Sequence, residues 1–268
     1  MQKIAILISG CNNKDINKNK IEAGFNFEYI ISIIRHQFES GYDVDYYVVV
    51  DEQFDKSIFG EKLKAFKIIS NKDLKKHYSK KIKHLHDYQF LRRRFLINLV
   101  DLNIDYKFFM CLRNDRILVP NGDGFYNKNL KLSDLRGWRR INSNNPISED
   151  KYKLDISFLD NINLEYVYCI PYGWLDYETN KDFDVINDAI FDGFFLSNWK
   201  NMLSYLNFRF SKLGNLNEMP EKCLKKWLLI ENKKIKRLDG IYKFKTDPVK
   251  PITYNAYAKG EWRKKFKV

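Results

Sequence analysis

Short apolar runs recur along residues 1–112, and each run ends at a glycine or at polar or charged residues. Their length and their β-branched and aromatic content predict buried strands at residues 3–8, 46–50, 66–70 and 106–112. Residues 21–40 and 85–101 carry apolar side chains at helical spacing instead, and Gly41 stands where a glycine commonly ends a helix. The first part of the chain therefore alternates strands with helices.

This alternation predicts an α/β fold, in which a mostly parallel central sheet is flanked by helices in the Rossmann-related manner. After residue 120 the pattern is less regular. It predicts strands within the segment EYVYCIPYGW, at residues 189–195 and at residues 235–244, and helices that begin at Ser197 and Pro220. Because no internal repeat and no linker composition interrupts the chain, we expect a single domain over residues 1–268.

The composition is that of a folded protein. Hydrophobic residues make up 44% and aromatic residues 16% of the 268 residues, which supplies a sizeable core. Cys11, Cys111, Cys169 and Cys223 are scattered without a Cys-x-x-Cys pair, so we expect reduced packing residues of a cytoplasmic protein. The apolar stretch Ile4–Ile8 is too short for a signal peptide, and no segment has the length of a transmembrane helix. We therefore expect a soluble protein, at most peripheral to a membrane.

The chain is strongly basic, with a formal net charge of +13 and a pI of about 9.3. Two explanations remain open: a lysine-rich composition of the kind that AT-rich coding produces, or attraction to nucleotides, nucleic acid or anionic lipid. The tail EWRKKFKV combines Trp262 and Phe266 with basic residues, which suits contact with an anionic membrane. The alternative is a frayed basic tail.

Polar residues follow three of the predicted strands, and the carboxyl ends of parallel strands meet at one edge of a sheet, where ligands bind. Backbone amides at Ser9 and Gly10 can face a nucleotide, and Asp51 can accept a hydrogen bond from a ribose or a base. The guanidinium of Arg113 matches phosphate geometry, and Asp115 follows it closely. The structural alternatives are plain turns at the first three positions and a strand-end ion pair between Arg113 and Asp115.

Three consecutive arginines, Arg92–Arg94, lie on the polar side of the helix predicted at residues 85–101. A solvated helix face explains them without any site. Alternatively, Arg93 lies one turn after Gln89, so that both side chains can point to the sheet edge and Arg93 can contact a phosphate.

Four segments occur in a characteristic order: KIAILISG, Tyr-x-Phe-Phe-x-x-x-Arg-x-Asp at residues 106–115, Asn-Asp-x-x-Phe-x-Gly at residues 187–193, and Pro220-Glu221 at a helix start. Together they resemble bacterial polysaccharide and lipopolysaccharide glycosyltransferases of the WavE-like or capsule type, which have the GT-A fold. The resemblance implies sugar transfer from a nucleotide-sugar donor to a saccharide or lipid-linked saccharide acceptor. It makes residues 1–120 the nucleotide-binding half and residues 121–268 the acceptor-side half.

In GT-A enzymes an Asp-x-Asp motif holds a divalent metal that bridges the diphosphate. Asp115 matches the last carboxylate of that motif, so the resemblance implies Mn²⁺ or Mg²⁺ at Asp115. Arg113 stands at the first position, and with Arg116 it can neutralise the diphosphate without a metal. Of the literal Asp-x-Asp segments, Asp43–Asp45 precedes its strand and so lies at the opposite edge. Asp182–Asp184, in a polar loop, is the second candidate for a metal site.

For the acceptor side we expect Asp188 to act as the catalytic base of an inverting enzyme or as a binding residue of a retaining one. The alternative is a turn or N-cap. Gly193 lets a ligand approach the backbone. Tyr172 and Trp174 are candidates for stacking on the acceptor sugar, with core packing as the alternative.

Two other functions compete with sugar transfer. The net charge and the lysine-rich residues 72–83 fit a nucleic-acid-binding protein, but no recognisable binding motif accompanies them. A nucleotidyl or phosphoryl transferase can use the same sheet edge, but the sequence lacks a Gly-x-x-x-x-Gly-Lys-Ser/Thr loop. We therefore expect a glycosyltransferase without a nucleic-acid partner.

Overall fold

The computed structural model describes residues 1–10, 27–78, 82, 85–114, 116–118, 156–171, 190–210, 220–237 and 253–255. The strands are β1 (Lys3–Ser9), β2 (Asp43–Val50), β3 (Leu63–Ile68), β4 (Phe109–Arg113), β5 (Arg116–Leu118), β6 (Tyr166–Pro171), β7 (Ile190–Ser197), β8 (Lys234–Arg237) and β9 (Thr253–Asn255). The α-helices are α1 (Phe27–Phe38), α2 (Asn71–Tyr78), α3 (Leu85–Arg94), α4 (Trp199–Leu206) and α5 (Pro220–Ile230). Short 3₁₀ helices lie at Lys56–Lys62, Phe95–Asn98 and Ser157–Asn161.

Seven strands form the central sheet in the order β3-β2-β1-β4-β7-β6-β8, and β5 pairs separately with β9. The contacts β1–β2, β1–β4, β2–β3 and β6–β8 are parallel, whereas β7 is antiparallel to both of its neighbours. Six strands of this sheet thus run in one direction. The predicted α/β fold with a mostly parallel sheet is confirmed.

Helices cover both faces of the sheet, because alternate residues of each strand face opposite sides. On β1, Ile4, Ile6 and Ile8 pack in the cluster that contains α1. Ala5 and Leu7 pack in a second cluster, which contains side chains of α3, α4 and α5. β4 divides in the same way, with Met110 and Leu112 toward α1 and Phe109 and Cys111 toward the other helices. We call these the α1 face and the α3 face.

Several element boundaries differ from the sequence prediction. The helix predicted at residues 85–101 ends at Arg94 and continues as the 3₁₀ helix Phe95–Asn98. Its apolar side chains, including the buried Leu96, continue across that change, so spacing alone does not separate the two helix types. Ser197 ends β7 instead of opening α4, and the N-cap is Asn198. In the described part of the chain, no helix is both long and apolar enough to cross a membrane.

Four buried tyrosines predict a loss of stability in alkali. Burial raises the pKa of each above its usual value, at Tyr42, Tyr46, Tyr106 and Tyr205. The folded state therefore retains phenol protons that the unfolded chain releases near pH 10, so stability is full below about pH 10 and falls above it. Each such group lowers the free energy of unfolding by about 1.4 kcal/mol per pH unit there. Tyrosinate absorbance and circular dichroism recorded along one pH titration test this, because ionisation of these residues should coincide with unfolding.

Candidate active site

The ends of β1 and β4 bring Ser9 and Arg113 side by side at the carboxyl edge of the sheet, where the two residues are register partners. Because Ala5 and Leu7 face α3, the alternation along β1 places Ser9 on the α3 face, and the same rule places Arg113 there. Ser9 is also opposite Val49 of β2, and Asp51 follows that strand. The edge therefore collects Ser9, Asp51 and Arg113 from three neighbouring strands.

Gly10 makes the close approach of two strand ends possible. Its backbone N–H donates to the carbonyl of Val49 at 3.2 Å, and the N–H of Asn114 donates to the carbonyl of Ser9 at 3.1 Å. A Cβ atom on Gly10 would lie 1.6 Å from Oδ1 of the buried Asn114. A side chain fits there only if Asn114 moves, so the packing favours a glycine.

Asp192 contacts side chains of three other elements near this edge. It lies on β7, and its side chain is buried although the strand is otherwise apolar. Arg113 Nη1 lies 3.1 Å from Asp192 Oδ1, and Gln89 Nε2 donates to Oδ2 at 2.6 Å. The backbone carbonyl of Asp192 accepts from Arg93 Nη2 at 2.7 Å and from the Tyr205 hydroxyl at 2.6 Å. Helix α3, strand β4 and helix α4 thus hold one residue of β7.

Arg93 is inside the protein, with an exposed fraction of 1%. Its guanidinium carbon lies 4.5 Å from the ring centroid of Tyr205 and 5.2 Å from that of Phe90, within the range of cation–π attraction. Among the residues that the structure describes, its Nε and Nη1 groups have no hydrogen-bond partner, and neither has the hydroxyl of Ser9. Buried donors are almost always paired, so unpaired ones at a sheet edge point to a missing acceptor.

Arg92, the preceding residue of α3, serves a different purpose. It is also buried, and its Nε donates to the carbonyl of Ile69 at 3.1 Å. Its Nη2 donates to Asn71 Oδ1 and lies 3.8 Å from Asp51 Oδ2. Arg92 therefore ties α3 to the ends of β2 and β3. The expectation of a solvated arginine face is wrong for Arg92 and Arg93, since both side chains are buried. Successive helix residues are about 100° apart around the axis, so the two arginines enter the interior at different places.

The thiol of Cys111, which lies near Arg93, stays protonated at neutral pH. Burial raises the pKa of Cys111 to about 12, although the charge of Arg93 opposes that shift. Cys111, Cys169 and Cys223 are buried thiols outside any disulfide, as predicted for them, and Cys11 lies outside the described residues. Cys111 therefore contributes packing beneath the arginines.

Other expected site residues lie outside the described part of the chain: Asp115, Asp188, Tyr172, Trp174 and the Asp182–Asp184 segment. Gly193 is described and is buried on β7, next to Asp192. Asp45, from the Asp43–Asp45 segment, lies early in β2 and accepts from the hydroxyl of Tyr106 at 2.7 Å, so it belongs to the opposite edge.

The described side chains alone do not form a metal site. Among the residues that the structure describes, no group of three histidine, cysteine, aspartate or glutamate side chains is close enough to hold a metal ion. The carboxylate of Asp192 is engaged by Arg113 and Gln89, and an arginine beside it disfavours a second cation. A metal held by Asp115 stays a prediction.

Sequence reasoning did not assign roles to Asp192, Asn114 and Tyr205. One signal was present for Asp192: a single charged residue within the apolar run IFDGFFLS. A charge that interrupts a buried strand needs a partner, and its presence indicates a polar cluster. The partners themselves are distant in sequence.

No known protein family and no curated protein matches the sequence. The solved structures that resemble this chain include several glycosyltransferases. The galactosyltransferase LgtC, in complex with donor and acceptor sugar analogues, has 8% identity and a TM-score of 0.40 over 91% of this chain and 68% of its own. GlyE of Streptococcus pneumoniae has 11% identity and a TM-score of 0.42 over 97% and 55%. Mouse xyloside xylosyltransferase 1 has 12% identity and a TM-score of 0.40 over 89% and 85%. At these values the functional proposal rests on the side chains of the sheet edge.

Proposed function

We propose that the chain is a glycosyltransferase of the GT-A-like class that binds a nucleotide-sugar donor at the carboxyl edge of its sheet. The observation that carries the proposal is the pair of arginines there: the buried Arg93, which has unpaired N–H groups, and Arg113 at the end of β4. Guanidinium groups bind phosphate oxygens through charge-assisted hydrogen bonds. A diphosphate at this edge supplies the acceptors that Arg93 and Ser9 lack.

Arginines at this edge also suit the chemistry of glycosyl transfer. The bond that breaks leaves negative charge on the nucleotide diphosphate, and fixed positive charges stabilise that leaving group. Asp115 is proposed to hold Mn²⁺ or Mg²⁺, which would supply further charge neutralisation, and Asp188 is proposed to act on the acceptor hydroxyl. Tyr172, Trp174 and Gly193 are proposed to contact the acceptor.

The acceptor is proposed to be a saccharide or a lipid-linked saccharide of a bacterial surface polysaccharide, as in the WavE-like or capsule-type enzymes. Such work takes place in the cytoplasm at the inner face of the membrane, and one described feature supports a peripheral contact. Leu229 and Ile230 at the end of α5 are 53% and 61% exposed. Lys222 and Lys226 are exposed on the same side of that helix. Co-flotation with anionic vesicles, and its absence with neutral ones, would support the contact; no flotation with either would remove it.

Calorimetric titration with UDP, GDP and CMP, each with and without Mn²⁺, tests the proposed function. We expect one of these nucleotides to bind the wild-type protein. A requirement for Mn²⁺ that is lost in Asp115→Ala would support the metal, and metal-independent binding that is lost in Arg113→Ala would assign the diphosphate to the arginines alone. If none of the nucleotides binds while oligonucleotides bind tightly and with strong salt dependence, the chain is a nucleic-acid-binding protein. Donor hydrolysis or transfer measured on the nucleotide-sugar that corresponds to the bound nucleotide separates a glycosyltransferase from a nucleotidyltransferase.

A further inference from the structure

Asp192 places a negative charge within a site proposed to bind an anion, and a carboxylate there repels the anion. Its side chain is 4% exposed, whereas that of Arg113 is 17% exposed. An ionised group is held inside a protein only when partners compensate for the water that it loses. Here the Asp192 carboxylate accepts hydrogen bonds from Arg113 and Gln89, and the backbone carbonyl of the same residue accepts one from Arg93.

The contacts of Asp192 fix its position from several directions. Tyr205 and Arg93 hold its carbonyl oxygen, and the Tyr205 ring stacks on Phe195 with centroids 4.0 Å apart. Burial raises the pKa of Tyr205 well above its usual value, so its hydroxyl stays a donor. Asp192 is therefore an anchored carboxylate, and Arg113 is the less buried partner that it orients.

The geometry points to Asp192 as a positioning residue, which holds the guanidinium of Arg113 in the orientation that receives the diphosphate. This inference rests on the proposed function. A guanidinium binds phosphate through a planar fork, so its affinity depends on the direction of that plane. An arginine on a strand end has four rotatable side-chain bonds, so removal of one buried anchor lets the plane of its guanidinium turn. Arg113 touches the ligand, and Asp192 acts through Arg113.

A purely electrostatic role for Asp192 and a positioning role predict opposite changes in nucleotide affinity when the carboxylate is neutralised. If the carboxylate only lowers the positive potential of the edge, its neutralisation strengthens nucleotide binding. If it positions Arg113, its neutralisation weakens binding. The sign of the change therefore distinguishes the two roles.

The experiment measures the dissociation constant of the nucleotide that binds the wild-type protein, for Asp192→Asn, Arg113→Lys and the double variant. We expect Asp192→Asn to weaken binding at least about fivefold, because asparagine offers one acceptor oxygen to two donors. Arg113→Lys, which lacks the planar fork, should weaken binding similarly, and the double variant should bind no more weakly than Arg113→Lys alone. Asp160→Asn is the matched control, since this exposed carboxylate contacts Tyr42 and Lys107, which precede β2 and β4.

Each outcome decides the inference. If the wild-type protein binds a nucleotide and Asp192→Asn binds it equally well or more tightly, the positioning role is wrong and the proposed function stands. If the wild-type protein binds no nucleotide, the proposed function fails and the inference fails with it. Should Asp192→Asn not fold, Gln89→Ala removes one contact of the same carboxylate from a half-buried position on α3. Weaker binding by Gln89→Ala supports the positioning role, and unchanged binding overturns it.

Discussion

Gly10→Ala is expected to lower the free energy of unfolding by about 1–3 kcal/mol, the usual cost of forcing an added methyl group into a packed site. The new Cβ would lie 1.6 Å from Oδ1 and 2.4 Å from Cγ of the buried Asn114 side chain. Either the Asn114 side chain or the backbone contacts of Gly10 with β2 and of Asn114 with β1 must shift to make room. Urea unfolding followed by circular dichroism measures the change, and nucleotide affinity should fall with it because the proposed site lies at these strand ends.

The control for this prediction is the same substitution in an Asn114→Ala background. That background removes the atoms with which the Cβ collides, so Gly10→Ala should cost less there than in the wild-type chain. An equal cost in both backgrounds would show that the collision with Asn114 is not the reason for the glycine.

Arg93→Met is expected to weaken nucleotide diphosphate binding by roughly 10- to 100-fold, since a hydrogen bond to a charged group contributes about 1.5–3 kcal/mol. Methionine fills much of the volume between Phe90 and Tyr205, and replacement of a buried charge by an apolar side chain is often tolerated by the fold. Tyr205 still donates to the carbonyl of Asp192 in this variant. Calorimetric titration gives the affinity, and thermal unfolding gives the stability.

Arg94→Met provides a matched control one residue further along α3. Arg94 is half-buried, its Nη2 donates to Asn207 Oδ1 at 3.3 Å, and its Nε, like that of Arg93, has no hydrogen-bond partner among the described residues. This variant should retain wild-type affinity within about twofold. Similar losses of affinity in both variants would indicate a general effect of positive charge on α3 and would contradict a specific role of Arg93.

Strands β1, β2 and β4 could be predicted because their side chains are buried on both faces of the sheet, which requires nearly continuous apolar runs. Tyr46–Val50 within β2 and Phe109–Leu112 within β4 are such runs. The direction of β7 could not be predicted, since an apolar run has the same pattern whether its strand is parallel or antiparallel. The sequence did predict where β1, β2 and β4 end. It therefore also predicted that Ser9 and Arg113 lie at the same edge of the sheet.

The burial of Arg92 and Arg93 could not be predicted from the sequence, for a different reason. A spacing pattern counts Arg92 and Arg93 as surface residues, because their burial depends on partners far along the chain. Asp192 is 99 residues from Arg93, and Ile69 is 23 residues from Arg92. Only the fold brings these groups together, and the same holds for the contact of Gln89 with Asp192.

Hydrogen exchange with and without the bound nucleotide, read by mass spectrometry, tests the central claim that the ligand binds at the carboxyl edge. Slower exchange on nucleotide addition in peptides that cover residues 7–10 and 109–114 is the predicted result, because these segments end at the site. Unchanged exchange in those peptides, together with protection confined to residues 220–237, would place the ligand elsewhere and contradict the account.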